Sequence, residues 1–256
     1  MRFVSTLSGR PSLHPPNVMI AMMKLIAMLL AAGGMLACDG GAAPSGTTQS
    51  FDFSSGAQGW EAAFADYPQG QETLFELQSG HQSLPAPLGP GRSGLFISGN
   101  NHSDDLFMFF KRRITGLQPR TSYEARFMVE FATDVPRGCG GIGGAPGESV
   151  YLKAGASAQE PLPQPDSSGR MVLNVDKGDQ ATGGTVAVVL GTIENSRPCD
   201  LTNRRWELKS LASDAAVQIA TDDSEAAWIF FGTDSGFEGT TTLYYTQIRI
   251  DLTPVM

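Results

Sequence analysis

The densest set of chemically capable side chains is Asn100-Asn101-His102-Ser103-Asp104-Asp105. Two carboxylates, two amides, a hydroxyl and an imidazole within six residues suit a hard cation such as Ca2+, which takes six to eight oxygen ligands. Asp104 and Asp105 would be its carboxylate ligands. The spacing is not that of an EF-hand loop. The same residues offer His102 as a general base beside Asp104 or Asp105. A third assignment needs no ligand: Asn and Asp cap turns through short-range hydrogen bonds to the backbone. Composition favours this last use, and all three stay open.

Other candidates flank this cluster. Cys139–Gly147 holds five glycines in nine residues. A strand-like run follows it, with no Gly-Lys-Ser/Thr, so it reads as a tight loop and not as a phosphate cradle. Glu148 and Lys153, just beyond, could face a cleft beside Asn101, His102, Asp104 and Asp105. Asp222-Asp223-Ser224-Glu225 and Asp234-Ser235-Gly236-Phe237-Glu238 read as acidic loops at the two ends of one strand. At about 3.3 Å per residue those ends lie too far apart to form a catalytic carboxylate pair with each other. His81 sits in a Gly/Ser/Pro-rich stretch and is expected to be exposed. Trp60, Trp206, Trp228, Tyr67, Tyr151, Tyr244 and Tyr245 could stack on sugar rings. Most are expected in the core, and Tyr67 beside Pro68 is the best exposed candidate. Neither a Gly-x-Ser-x-Gly elbow nor a His-Glu-x-x-His helix occurs, and no catalytic residue is assigned.

The elements that must position these groups are strands. Short runs bounded by Gly, Pro, Asn, Asp and Ser recur from Phe51 onward. Strands are expected near 50–53, 60–65, 73–77, 94–98, 106–114, 122–132, 149–154, 170–176, 186–193, 205–211, 226–232 and 241–252. Tyr123, Ala125, Phe127, Val129 and Phe131 share one face of their run, which marks a half-buried antiparallel strand. The turn Thr115–Thr121 is expected to join 106–114 and 122–132 as a hairpin. Ser210–Ile219 is expected to form a short helical turn. About a dozen one-sided strands predict an all-β, antiparallel two-sheet β-sandwich, because each sheet must hide its apolar face. The polar cluster becomes a site only if the 139–153 segment or the 234–238 loop folds over beside it.

The N-terminal 37 residues carry Arg2, Arg10 and Lys24 and no acid. From Met23 the chain reads MKLIAMLLAAGGMLAC, the basic start, apolar run and small residues of a secretory signal peptide. The apolar run Leu25–Ala37 is 13 residues, short of the ~20 that span a bilayer. The segment before it is a poor export signal, so translation is expected to start at Met22 or Met23. Met35-Leu36-Ala37-Cys38 resembles a bacterial lipobox, which implies a Cys38 that becomes the first mature residue and carries diacyl and palmitoyl chains. Two or more acyl chains anchor a protein stably. An ordinary signal peptide with an incidental Cys38, or an uncleaved anchor, are the alternatives. The expected organisation is 1–37 signal peptide, 38–50 lipidated cysteine and flexible tether, and 51–256 a single sandwich domain. The location is the bacterial cell envelope, on the periplasmic or cell-surface side.

Export sets the redox compartment, and Cys139 and Cys199, 60 positions apart, are expected to pair. The chain-entropy model gives such a bond about 4 kcal/mol. From Cys38 onward 15 basic residues face 26 acidic ones, with no basic stripe, which argues against a nucleic-acid partner.

Phe51-Asp52-Phe53, Gly56 and Gly59-Trp60 resemble the first strand and turn of galactose-binding-like and carbohydrate-binding jelly-roll modules. Trp228–Gly232 and Leu243-Tyr244-Tyr245 through Ile248-Arg249-Ile250 are similar to their last two strands. Ile114–Pro119 with Tyr123 is similar to a strand-turn-strand phrase of those modules and of fibronectin-like sandwiches. The resemblance implies a jelly roll and a ligand-binding module, with a glycan as ligand and calcium as a structural ion. Two alternatives remain: an exported carbohydrate-active hydrolase or lyase using Asp104, Asp105 and Glu148, and a purely structural envelope lipoprotein. Sandwich folds host many functions, so the site must decide.

Overall fold

Alternation along Ser122–Thr133 buries Tyr123, Ala125, Phe127, Val129 and Phe131 on one side and leaves Ser122 and Arg126 in solvent. The same period two organises the rest of the computed structural model, which describes residues 46–89 and 91–255. The described residues belong to one compact unit, Ala42–Met256. The signal peptide, Cys38 and the tether up to residue 45 lie outside the described residues. The last part of the expected tether is not a tether, since Thr47–Asp52 is the first strand.

In chain order the strands are β1 (Thr47–Asp52), β2 (Glu61–Ala65), β3 (Tyr67–Pro68), β4 (Gln78–Ser83), β5 (Ser93–Asn100) and β6 (Leu106–Thr115). Then come β7 (Ser122–Thr133), β8 (Val150–Ser157), β9 (Pro163–Pro165), β10 (Arg170–Leu173), β11 (Gly178–Asp179) and β12 (Thr182–Gly183). The last are β13 (Ala187–Thr192), β14 (Glu207–Ala212), β15 (Val217–Ala220), β16 (Ala226–Ser235) and β17 (Thr240–Pro254). The two main sheets are antiparallel. One has the order β14-β7-β17-β5-β4, with β1 also on β17 and β15 also on β7. The other has the order β13-β8-β16-β6-β2. They pack face to face as a β-sandwich around one apolar core. At its centre Phe231 meets Trp60, Phe53, Phe110 and Tyr245, with ring centroids 4.9–6.3 Å apart.

The two sheets differ in what covers their outer faces. On the five-stranded sheet Phe107, Phe109 and Phe230 point away from the main core. They form a second buried cluster with Ala65 and Ala187, closed by Leu173, Val175 and Val186. That cover comes from residues 159–186, which contribute the hairpin β11-β12 and strands β9 and β10, the latter pairing with β3 in a small sheet β3-β10-β9. A strand buried on both faces loses the polar half of its alternation, which is why β6 opens Leu-Phe-Met-Phe-Phe. Among the described residues the seven-stranded sheet has no such layer, and much of its outer face is polar, as at Ser122, Arg126 and Arg249.

This difference corrects the expected hairpin. β6 pairs with β16 and β2, whereas β7 pairs with β14, β15 and β17. The turn Thr115–Thr121 is an arch from one sheet to the other. A strand apolar on both faces and a strand polar on one belong to different layers. The arch is pinned by buried Leu117, by the Gln118 amide donating to the Tyr123 hydroxyl at 2.9 Å, and by the Thr221 hydroxyl donating to the Gln118 carbonyl at 2.6 Å. Two other expectations fail. Residues 73–77 form hydrogen-bonded turns that bury Phe75 and expose Leu74. Ser210–Ile219 is not helical but holds the end of β14 and the start of β15, which line up along β7 on either side of a break at Ser213. Backbone pairing to β7 outweighs the local helical preference of Ala and Leu.

Cys139 and Cys199 are disulfide-bonded, with Cα atoms 5.0 Å apart. The bond ties the 138–147 loop to the 196–204 loop. Phe231→Ala is expected to destabilise the fold by about 3–5 kcal/mol, measured by urea unfolding, because its ring is shared by both sheets.

Candidate functional site

The covering segment meets the five-stranded sheet through charge as well as through apolar contact. Asp234, at the end of β16, points to the covered face and is 0% exposed. Its Oδ2 accepts hydrogen bonds from Lys153 Nζ at 2.8 Å, Lys177 Nζ at 2.7 Å and the Gln180 amide at 3.0 Å. Lys153, on the neighbouring strand β8, is also 0% exposed and donates to the Lys177 and Thr182 carbonyls at 3.1 and 3.0 Å. Lys177 lies 3.0 Å from Asp66 Oδ2 and over the Phe107 ring. Asp66 occupies the turn between β2 and β3 in a left-handed conformation, φ 65°. Asp105, just before β6, accepts from Arg170 of β10 at 2.7 Å. One carboxylate oxygen of each of Asp66, Asp105 and Asp234 lies within 4.8 Å of the other two.

This crowding sets the protonation states. Burial raises the Asp105 carboxyl, and the Asp66 and Asp234 carboxylates raise it further, to about 8. Burial also raises Asp66, partly opposed by Lys177. Burial would raise Asp234 too, but the ammoniums of Lys177 and Lys153 outweigh it and hold Asp234 low. Burial depresses Lys153 despite Asp234. For Lys177 the carboxylates of Asp234 and Asp66 overcome burial and push its ammonium up. Near neutral pH Asp105 therefore carries a proton, and Asp66 and Asp234 share Lys177.

Three close carboxylates invite comparison with a cation site, and the residues present fit a divalent ion poorly. Lys177 already sits between Asp66 and Asp234, and Lys153 takes the same Asp234 oxygen. Lys153, Lys177 and Arg170 already supply the counter-charge here, and Asp105 is protonated near neutral pH, so little negative charge is left for an added ion. Nor is the cluster suited to general acid–base work on a large substrate, since residues 159–186 lie across it.

The structure brings part of the sequence-derived set together. Asp105 and Lys153 join the network. Asp104 does not: its side chain is exposed beside Gly143, and its carbonyl accepts from Gln180 Nε2 at 2.7 Å. Asn101 is buried and donates to the Ser235 and Phe237 carbonyls at 2.8 and 3.0 Å, while its own Oδ1 accepts from the Ser103 amide. It thus performs the turn-capping role and docks the 235–239 turn. His102 is exposed, edge-on to Phe75. Glu148 accepts from the Gly138 amide at 2.6 Å, bracing the disulfide loop. Tyr67 corrects an expectation: it is 6% exposed, packed on Phe75 and bonded to Glu72, so it offers no stacking surface. Burial and Glu72 push its hydroxyl up to about 12. Asp234 was expected in a loop and instead lies within β16. His81 is exposed, but on β4, with Nε2 2.7 Å from the Phe53 carbonyl.

Asp66, Lys177 and Arg170 were not singled out from sequence. Neither was the other notable surface, on the open face of the seven-stranded sheet. There the half-buried rings of Trp206 and Tyr244 meet edge to face at 5.2 Å, and Tyr244 lies 5.3 Å from Phe96 on β5. Tyr244 pairs with Ala132 and Phe96 across the sheet, so this aromatic row crosses β14, β7, β17 and β5. Ser98 and Thr242 hydroxyls bond beside it at 2.7 Å. Arg204 pairs with Asp134 at its edge. Burial, then the Asp134 carboxylate, raises the Tyr244 hydroxyl.

The Asp105 shift has a definite sign. A carboxyl whose folded pKa is raised holds its proton where the unfolded chain, near 3.8, has lost it, so it weakens the fold as pH climbs from about 4 to about 8. Asp105→Asn is expected to flatten that decline and to melt higher than the wild type at pH 9, by calorimetry. An unchanged slope would exclude Asp105 as its source. Lys177→Met, which strips Asp66 and Asp234 of their shared counter-ion, is expected to cost about 3–5 kcal/mol in urea unfolding.

No family model matches the chain, and no curated protein matches it. Among solved structures it is similar to the CBM22-1 xylan-binding domain of Paenibacillus barcinonensis Xyn10C, at 14% identity over 84% of this chain and 100% of that one, with a TM-score of 0.39. It is similar to the family 11 carbohydrate-binding module of Clostridium thermocellum Lic26A-Cel5E, at 9% identity over 82% and 95%, TM-score 0.36. A third is the carbohydrate-binding module TmCBM27, described for mannan recognition, at 10% identity over 81% and 98%, TM-score 0.35.

Proposed function

We propose that this chain is an exported envelope lipoprotein, anchored through Cys38, whose β-sandwich binds carbohydrate without cleaving it. One observation carries the binding assignment: Trp206 and Tyr244 stand half-buried on an uncovered sheet face, beside paired hydroxyls. Aromatic rings that keep one side in water present an apolar surface matched to the C–H face of a pyranose, and neighbouring hydroxyls exchange hydrogen bonds with sugar hydroxyls. Of the acids named for a hydrolase, Asp105 is bound to Arg170 beside the covering segment and Glu148 to the Gly138 amide, while Asp104 stands apart in solvent, which supports binding over catalysis.

Detergent-solubilised full chain is expected to be retarded in affinity gels containing at least one neutral polysaccharide from a panel of xylan, mannan, galactan and soluble cellulose. Trp206→Ala should weaken that retardation about tenfold or more, equivalent to 1.4 kcal/mol. Asp105→Asn should leave it unchanged. Retardation that survives loss of both Trp206 and Tyr244 would remove this face as the site. Separately, Cys38→Ala is expected to abolish palmitate labelling and move the protein from the membrane to the soluble fraction.

A further inference from the structure

The two loops joined by Cys139–Cys199 build a concavity at one end of the sandwich. Its volume is about 350 Å3, and its lining includes Val135, Leu201, Arg204, Phe237 and Thr240. That is near the lower bound for sites that take small ligands. Ile142 is 72% exposed and Leu201 54%, among the most exposed large apolar side chains of the described residues. They lie on the two opposite loops. The Phe237 ring packs against Gly141, and the Glu238 amide donates to the Ile142 carbonyl at 2.9 Å, so the glycine-rich loop forms one wall of this end. A side chain at Gly141 would collide with that ring.

The concavity borders the aromatic face. Arg204 lines it and pairs with Asp134, which lies two residues beyond the Tyr244 partner Ala132, and Trp206 follows two residues after Arg204. Its lining combines apolar Leu201, Val135 and Phe237 with polar Arg204 and Thr240. The Arg204–Asp134 pair is charge-neutral, so it offers fixed donors and acceptors without selecting an ion.

The pocket also has a direction. The chain enters the sandwich at Thr47, opposite Leu252 near the end of β17, whereas Thr240 begins that strand. Twelve strand residues at about 3.3 Å each put the pocket roughly 40 Å from the point of entry. The pocket and the first strand's Thr47 therefore lie toward opposite ends of β17.

We infer that this pocket receives the terminal residue of a neutral saccharide chain, with the following residue laid against Trp206. This rests on the carbohydrate-binding assignment above and adds the end-on mode and the neutrality of the ligand. A blind pocket beside a short platform accepts a chain end and one or two further rings. A ligand that crossed the platform alone would gain contact with each added ring.

The test is titration calorimetry of the full chain with neutral β-1,4-linked tri- and hexasaccharides of glucose, mannose, galactose and xylose, and with trigalacturonate as the charged control. For the sugar that binds, the trisaccharide should match the hexasaccharide within about twofold, and trigalacturonate should not bind. Arg204→Ala and Leu201→Asp, at side chains exposed enough to change without unfolding, should each weaken binding about tenfold or more, with melting temperature unchanged. If no saccharide of either kind binds the wild-type chain, the carbohydrate assignment falls and this inference with it. If a saccharide binds, weakens with Trp206→Ala, tightens steadily with length and ignores Arg204→Ala and Leu201→Asp, the pocket assignment alone is overturned.

Discussion

A fully buried carboxylate must be compensated, and the Asp234 carboxylate dictates much of how this sandwich is finished. Desolvating an ion costs several kcal/mol unless counter-charges and hydrogen bonds replace water. Asp234 obtains them from Lys153 on the adjacent strand and from Lys177 and the Gln180 amide in the covering segment. Those three bonds join β16, β8 and residues 159–186. Lys177 extends the tie to Asp66, in the turn beyond β2, and Arg170 holds Asp105 before β6. The apolar contacts of Leu173, Val175 and Val186 are non-directional. The charge network fixes where along the sheet they settle.

The cover takes up much of the outer face of the five-stranded sheet, where Phe107, Phe109 and Phe230 are buried. The seven-stranded sheet has one face in water, and Trp206, Tyr244 and Phe96 form its aromatic row. A lone aromatic on an exposed strand is unremarkable. Here three strands or their flanks contribute rings at one level, with a hydroxyl pair and an ion pair on the neighbouring level. That clustering is what the carbohydrate-binding proposal rests on.

The strand content was legible because alternation and turn residues are local signals. Ser122–Ala132 and Thr241–Leu252 lie within β7 and β17, and the pairing of Cys139 with Cys199 followed from cysteine count and compartment. Which strands are partners was less legible, since pairing is decided by burial on both faces. A signal did exist: Leu106–Phe110 and Trp228–Phe231 are apolar without alternation, which marks a strand covered on both sides. Taken seriously, that pattern separates β6 from β7 and predicts an extra layer. Asp105 and Lys153 were found because they neighbour distinctive motifs. Asp66, Arg170 and Lys177 are isolated charges in loops, brought together only by the fold of residues 159–186. Trp206 was weighed as core because sequence does not reveal which sheet lacks a cover.

The disulfide explains why the exposed end can be shaped at all. Outside the sheets, the loops 138–147 and 196–204 are linked by a single parallel bridge, Arg137 with Pro198, and by the Arg137 amide donating to the Arg197 carbonyl at 2.9 Å. Such loops bury little apolar surface, and five glycines in one of them add chain entropy. A covalent tie removes much of that freedom before folding. It therefore lets Ile142 and Leu201 remain in solvent, where they contribute little to stability, while Leu201 and Phe237 keep a defined spacing across the pocket. Apolar groups held open in this way are costly for solubility and useful only as a contact surface. The two sheets are thus finished differently, one closed by paired charge and the other left open beside a stapled rim.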